Sequence, residues 1–424
     1  MSFIQKYLKS LYSDKLGLLL FILILITIVF QVLLIANFSS NDIVEISGDP
    51  RYYMKLILEK LNENSFYPSK ADVYSEFMFA PGFINYGILV MKIFGNPKAF
   101  LFLNSIFTIL ITIELCLIGE ILDNGRTGKI AGMLFLLSTN NQGFSLFLLT
   151  QLPFAVFFLL SILLFLKKKP AAVFFAGVAL IVSNWIRPLG FILLIGLVVQ
   201  AILTKSRGRV YYYFFAGVVV TLLIIGSISY RNSGFFVYQS TTSGVNMRMG
   251  AHDNSTGKYL GEAYSDGNIS DQMNFIERND TWKNNAIEWI KSHPVDYILL
   301  APKKIYWLFS MDKYSLDGVS MWLHNIPISI GLRTNLWRAF YLLSILHFIL
   351  MNLLMVASIY FTIKLKRYDF LFIWVIILLS VATAVITVGD PLYRHHIMLL
   401  FYILGAFSIN ELFKKQINSW LSIS

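Results

Sequence analysis

The sequence predicts an all-α polytopic membrane protein of about ten transmembrane helices with interfacial helices and two external loops, and three observations carry that reading. Apolar runs near 20 residues recur along the whole length, and a hydrocarbon core of roughly 30 Å takes about 20 helical residues to cross. The composition is 56% hydrophobic and 16% aromatic against 14% charged, with a mean hydropathy of +0.64, so a soluble globule would expose much of its apolar surface to water. The cations behind the formal net charge of +11 stand in short tracts beside the apolar runs: Lys6, Lys9 and Lys15; Lys167 to Lys169; Lys205, Arg207 and Arg209; Lys364, Lys366 and Arg367; Lys414 and Lys415. Such placement is a topology signal and not a nucleic-acid surface.

With those tracts on the cytoplasmic side, ten spans follow: 16–37, 99–122, 128–145, 150–166, 171–185, 188–204, 211–230, 336–363, 370–388 and 394–413. Both termini then lie in the cytoplasm, and residues 1–424 form one integral membrane domain. Leu16 to Phe38 is too long for the apolar part of a signal peptide and no small-residue cleavage site follows it, so it reads as a span. Two more apolar stretches, Phe77 to Phe94 and Tyr297 to Ser310, would put every later basic tract outside if counted. The first carries Pro81, Gly82, Asn85, Gly87 and Lys92; the second is short and holds Pro302, Lys303 and Lys304. Both are expected to lie in the outer interface, apolar faces in lipid and polar faces up.

Residues 38–98 and 231–335 remain as external loops. In the first, SGDPRYYMKL packs an acid, an arginine and two tyrosines into five residues where the chain leaves the bilayer, and Arg51 to Leu61 has helical spacing with Asp49 as N-cap and Pro50 at the first helical position. In the second, SGVNMRMGAHDNSTGKY reads as irregular loop and WKNNAIEWIKSHP as an amphipathic helix. The single cysteine, Cys116, excludes an intrachain disulfide and a cysteine metal site. No internal repeat is visible.

An acid just after span one, followed by APGFINYGILVMKIFG, resembles the GT-C superfamily of polyprenyl-phosphate-sugar glycosyltransferases, in particular the bacterial branch akin to protein O-mannosyltransferases and the aminoarabinose transferase of lipid A. The likeness continues through FLFLNSIFTILITIELCLIGEILDNGRTGKIAGMLFLLS, NWIRPLGFILL, STTSGVNMRMGAHDNSTGKY, AIEWIKSHPVDYILLAPKKIYWLF and DPLYRHHIMLLFYILGAF, in that order and on consistent sides. In the last of these the family's closing R-Y-x-x-P element has Tyr and Arg transposed and lacks the proline. Where many relatives place an acid just before span four, this chain has Thr150 and Gln151.

The resemblance implies transfer of one sugar from a polyprenyl-phosphate donor to an acceptor hydroxyl of a glycan, lipid or protein on the extracytoplasmic face, with inversion. The acceptor must lose a proton as it attacks, which calls for a carboxylate within hydrogen-bond reach. The leaving group is a phosphate, so cations stabilising its charge can replace a general acid. Asp49 is the expected base, its alternative being a cap that only starts the loop helix. Arg51, Arg187, Arg394 and Lys303 are the expected phosphate contacts; for Arg187 and Lys303 the alternative is snorkelling or headgroup binding. Tyr52, Tyr53, Glu76, Gln151, Asn246 and His395 are the expected substrate contacts. Asp42 and Glu45 read as solvated loop acids, their alternative being a divalent-cation site as in the oligosaccharyltransferase branch. No cofactor is expected, and His395 with His396 lacks a third ligand at metal spacing. Two other classes fit a polytopic chain. A flippase of lipid-linked sugars would show pseudo-repeats and broken helices with polar groups at mid-membrane; a polysaccharide polymerase or ligase would carry its chemistry in the late loop.

Overall fold

The computed structural model describes residues 14–40, 43, 48–76, 78–205, 208–259, 269–310 and 314–422. In chain order the helices are α1 (Lys15–Ala36), α2 (Asp49–Asn62), α3 (Pro81–Phe94), α4 (Lys98–Leu122), α5 (Gly125–Leu136), α6 (Thr139–Phe144), α7 (Gln151–Leu166), α8 (Pro170–Ile186), α9 (Gly190–Leu203), α10 (Arg209–Ser233), α11 (Ser243–Met249), α12 (Phe275–Ser292), α13 (Pro294–Leu308), α14 (Tyr314–Asn325), α15 (Ile330–Lys364), α16 (Leu371–Ile386), α17 (His395–Leu412) and α18 (Lys414–Ser422). Among the described residues the β-type pairing is an isolated bridge between Lys258 and Gly389.

Six helical segments are long and apolar enough to cross a bilayer: α1, α4, α10, α15, and α16 and α17 with the short 3-10 turns that lead into them. Their surroundings differ. The apolar window of the α17 segment is 78% buried and that of α15 only 22%, so α17 is the axis of the bundle and α15 a peripheral helix. On the outer faces of α1, α10 and α15, side chains such as Leu25, Val29, Leu223, Leu353 and Val356 stand exposed, the surface expected to meet lipid. Helices α7, α8 and α9 are apolar but only 14 to 17 residues long. Helix α7 is buried along almost its whole length.

The expected third span, 128–145, is broken in two. Helix α5 stops at Leu136, and Ser138 restarts the chain by accepting from Asn141 N at 3.4 Å. The polar run STNNQ supplies the reason: Asn141 Nδ2 donates to the Phe135 carbonyl at 3.1 Å and Gln142 Nε2 to the Leu136 carbonyl at 3.0 Å. Those carbonyls are the ones a helix end leaves without partners. Asn141 also reaches the Tyr402 hydroxyl on α17 at 3.0 Å, and Gln142 accepts from Gln31 on α1 at 3.0 Å. The break costs little because its polar groups are bonded.

In the first loop, α2 and α3 pack together, and Phe83, Ile84, Ile88 and Val90 of α3 are buried while Leu89, Ile93 and Phe94 are exposed. The loop between them is held by Lys60, only 1% exposed, whose Nζ sits 2.9 Å from Asp72, 2.7 Å from Glu63 and 3.0 Å from the Ser69 hydroxyl. A buried ammonium persists where it is paired this fully.

The second loop departs from its expected irregularity. SGVNMRM forms α11, which lies on α12 through a small core of Val245, Met249 and Trp282. Helix α13 leaves Asp296 and Lys303 exposed and turns one of its polar positions inward. Lys304 faces inward, fully buried, while Val295, Ile298, Leu299 and Tyr306 are exposed. Lys304 donates to the Val385 carbonyl at 2.9 Å and lies 4.4 Å from the Tyr297 ring centroid.

Candidate active site

Asp49 is the first residue of α2, one position later than a cap. Gly48 is the N-cap instead, at φ 81° and ψ −151°, a region open to glycine and strained for other residues. The Asp49 carboxylate accepts no hydrogen bond from the described residues, so the capping alternative falls away and the acid is left for other use. Burial pushes its carboxyl above the ordinary carboxylate value, with the positive charge of Arg187 opposing and the negative charge of Asp390 reinforcing the rise.

Those two charges come from elsewhere in the chain. Arg187 ends α8 in an extended conformation, donating from Nη1 to the Thr150 hydroxyl at 3.1 Å and from Nη2 to the Leu392 carbonyl at 2.9 Å. Its guanidinium carbon lies 5.6 Å from the Tyr393 ring centroid. Asp390 starts the turn into α17 by accepting from Leu392 N at 2.8 Å. Burial raises the Asp390 carboxyl too, offset by that amide and by the charges of Arg187, Lys258 and Arg394.

The late loop closes over this group. Gly389 N donates to the Gly257 carbonyl at 2.9 Å, which brings Lys258 to the DPLY turn. Lys258 Nζ lies 5.1 Å from the Trp307 ring centroid. The approach is close enough that a Cβ on Gly250 would fall 1.6 Å from the Thr387 carbonyl oxygen. Tyr393 donates to Asn246 Oδ1 at 3.5 Å, so α11 is tied to the same place. Gln151, buried beside Thr150, has an Oε1 with no hydrogen-bond partner among the described residues.

Among the expected residues, Asp49, Arg187, Asn246 and Gln151 therefore stand at one end of the bundle, at the starts of α2 and α7, the end of α8, α11 and the turn into α17. Others are placed differently. Arg394 is buried, donates to the carbonyls of Leu308 and Ser310, and covers the Phe348 ring at 4.4 Å, which makes it a clamp between α13 and α17. Lys303 is exposed, and the neighbouring Lys304 takes the buried place. Arg51 and Glu76 are exposed. Tyr53 is a packing residue, edge-on to Phe79 and Phe83, whereas Tyr52 is exposed and stacked 6.2 Å from Phe79. His395 is buried edge-on to Phe144 at 5.1 Å, beside a cavity of about 20 Å³, room for a water. Asp42 and Glu45 lie outside the described residues. Asp390 and Lys258 are the two charged members that the sequence reading passed over. The signal was present: GDPLY is an acid beside a turn in the segment already matched to the closing element before the last span, but it reads as an ordinary turn acid until the tertiary structure brings its charge to bear on Asp49.

No protein-family model and no curated protein matches the sequence. Solved structures of the oligosaccharyltransferase of Archaeoglobus fulgidus share the fold. Its apo form superposes with a TM-score of 0.54 at 14% identity, covering 98% of this chain and 52% of that one. Its complex with an inhibitory peptide and a dolichol-phosphate gives 0.53 at 14% identity over 98% and 51%, and its complex with Zn and sulfate gives 0.52 at 15% over 93% and 49%. This chain thus spans about half the length of those proteins. The likeness is one of fold.

Proposed function

We propose that this protein is a membrane glycosyltransferase that moves a single sugar from a polyprenyl-phosphate donor to an acceptor hydroxyl on the extracytoplasmic face, inverting the anomeric centre. One observation carries the reading: an uncapped, half-buried carboxylate at the start of the first loop, in the field of an arginine whose own bonds fix it in place. Asp49 accepts the acceptor's proton as the new glycosidic bond forms. The bond between the anomeric carbon and the phosphate oxygen breaks, and the departing phosphate takes its electron pair and draws charge stabilisation from Arg187 and Lys258. Asp390 positions Lys258 and Arg187 by its charge, and Asn246 with Gln151 offers amides to the sugar or acceptor. The fold relatives support a lipid-phosphate ligand, since one of them holds a dolichol-phosphate beside an inhibitory peptide.

A divalent cation is the other component the fold relatives suggest, one of them holding Zn. Among the described residues no group of three or more His, Cys, Asp or Glu is placed to hold a metal. The described part of the site offers two carboxylates, Asp49 and Asp390, with cations around them, fewer than the roughly six oxygen ligands of a hard divalent ion, and Asp42 and Glu45 lie outside the described residues. No step is routed through a metal.

Polyprenyl phosphate is common to every donor of this class, so its binding tests the reading without knowledge of the sugar. Wild-type protein in nanodiscs is expected to bind polyprenyl phosphate over the parent polyprenol, and Arg187→Ala to weaken that binding by about tenfold to a hundredfold. Equal binding of phosphate and alcohol by the wild type would remove the donor assignment.

A further inference from the structure

Helix α16 ends just before the turn that brings Asp390 to the site, and its last carbonyls are of the kind a helix leaves without backbone partners. Two of them are taken by side chains of α13. Lys304 Nζ donates to the Val385 carbonyl at 2.9 Å, and the Tyr297 hydroxyl donates to the Ile386 carbonyl at 2.9 Å. A cation at a helix C-terminus is favoured by the helix dipole as well as by the bond. Lys304 is 0% exposed, and its charge is met by the α16 terminus and by the Tyr297 ring, whose centroid lies 4.4 Å away. Burial pulls its ammonium down to about 8, which leaves it mostly charged at neutral pH.

The late loop and the turn into α17 converge on the same residue. A Cβ on Gly389 would overlap the Lys304 carbonyl, one on Gly257 would fall 3.2 Å from Lys304 Cγ, and one on Gly250 would fall 2.9 Å from Lys304 Nζ. Gly389 precedes Asp390 and Gly257 precedes Lys258, and the bond from Gly389 N to the Gly257 carbonyl joins the two segments. One turn further along α13, the Trp307 ring centroid lies 5.1 Å from Lys258 Nζ. Lys304 therefore stands beneath the bridge that brings Lys258 to the DPLY turn, and being fully buried it does not touch the donor itself. We infer that Lys304 is a positioning residue for the donor phosphate: by closing the end of α16 it fixes the bridge between the late loop and the turn into α17, and with it the place of the Lys258 ammonium. The inference rests on the proposed phosphate role of Lys258.

A double-mutant cycle with Lys258→Gln and Lys304→Met, read on polyprenyl phosphate binding by the full chain in nanodiscs, tests the inference. Polyprenol binding and melting temperature are measured on the same preparations. Methionine keeps the length of the lysine side chain and removes its charge. Lys258→Gln should weaken phosphate binding by about tenfold and Lys304→Met by about threefold to tenfold, with polyprenol binding unchanged in both. In the Lys258→Gln background Lys304→Met should add no further loss, because a residue that acts through another is not additive with it. Wild-type phosphate affinity in either single variant, a matching loss of polyprenol binding in Lys304→Met, or a double variant as weak as the product of the two losses overturns the inference. Should Lys304→Met fail to fold, Tyr297→Phe, which removes the hydroxyl bonded to the Ile386 carbonyl and keeps the ring, is read against the same outcomes with a loss of about threefold expected. A wild type that binds polyprenyl phosphate and polyprenol equally refutes the donor assignment and this inference with it; a wild type that prefers the phosphate, beside an unaffected Lys304→Met, refutes this inference alone.

Discussion

Asp49 and Asp390 approach each other from residues far apart in sequence, and their coupling has a measurable sign. A carboxylate base works when ionised, so transfer should rise with pH through a value above the ordinary carboxylate pKa of about 4. Asp390→Asn removes a negative neighbour that raises the Asp49 carboxyl, and the acidic limb of the pH–rate profile should then move to lower pH. An unmoved limb would mean that the two acids do not interact. Legibility at this scale followed chemistry that announces itself locally. Asp49 beside Arg51, and Arg187 in NWIRPLGF, stand out as charges at the ends of apolar runs. Adjacent residues of one type defeat the same approach: Tyr52 and Tyr53, or Lys303 and Lys304, lie about 100° apart on a helix, and the flanking sequence does not say which of each pair turns inward.

At the scale of elements, the long helices were readable because hydropathy and length suffice for them, and α2 was readable from its spacing. Helix α11 was not, since a short helix in a Gly- and Asn-rich loop gets its stability from the Trp282 core and not from local propensity. The break between α5 and α6 was hidden for the same reason: its polar side chains are bonded across the bundle, so an apolar average conceals it. The late loop reaches the site through the close approach of Gly250 to Thr387. Gly250→Ala should push α11 away from the DPLY turn, lower transfer well beyond any loss of folded protein, and destabilise the chain by about 1–3 kcal/mol. Thermal unfolding and transfer measured on one preparation separate the two effects. Full transfer in this variant would show that the loop need not close on the site.

For the molecule as a whole, the account requires the Asp49 site and the basic tracts to face opposite sides of the membrane. In a Cys116→Ser background, Asn96→Cys is expected to react with an impermeant thiol reagent from outside and Lys168→Cys only after permeabilisation; both positions are exposed. Reaction of Asn96→Cys from the cytoplasmic side alone would overturn the ten-span topology. The identities of the sugar and the acceptor were beyond the sequence because a fold is shared by enzymes with different substrates. The charged centre was partly within reach because the proposed chemistry, proton removal and phosphate departure, constrains residue type. The measurement that tests the central claim most directly is single-turnover transfer from a panel of polyprenyl-phosphate-linked hexoses and pentoses by wild type and Asp49→Asn, with polyprenyl phosphate binding measured alongside. Since Asp49 caps nothing, asparagine should leave folding and phosphate binding nearly intact and reduce transfer by about 10² to 10⁴; near-normal turnover in Asp49→Asn would contradict the account.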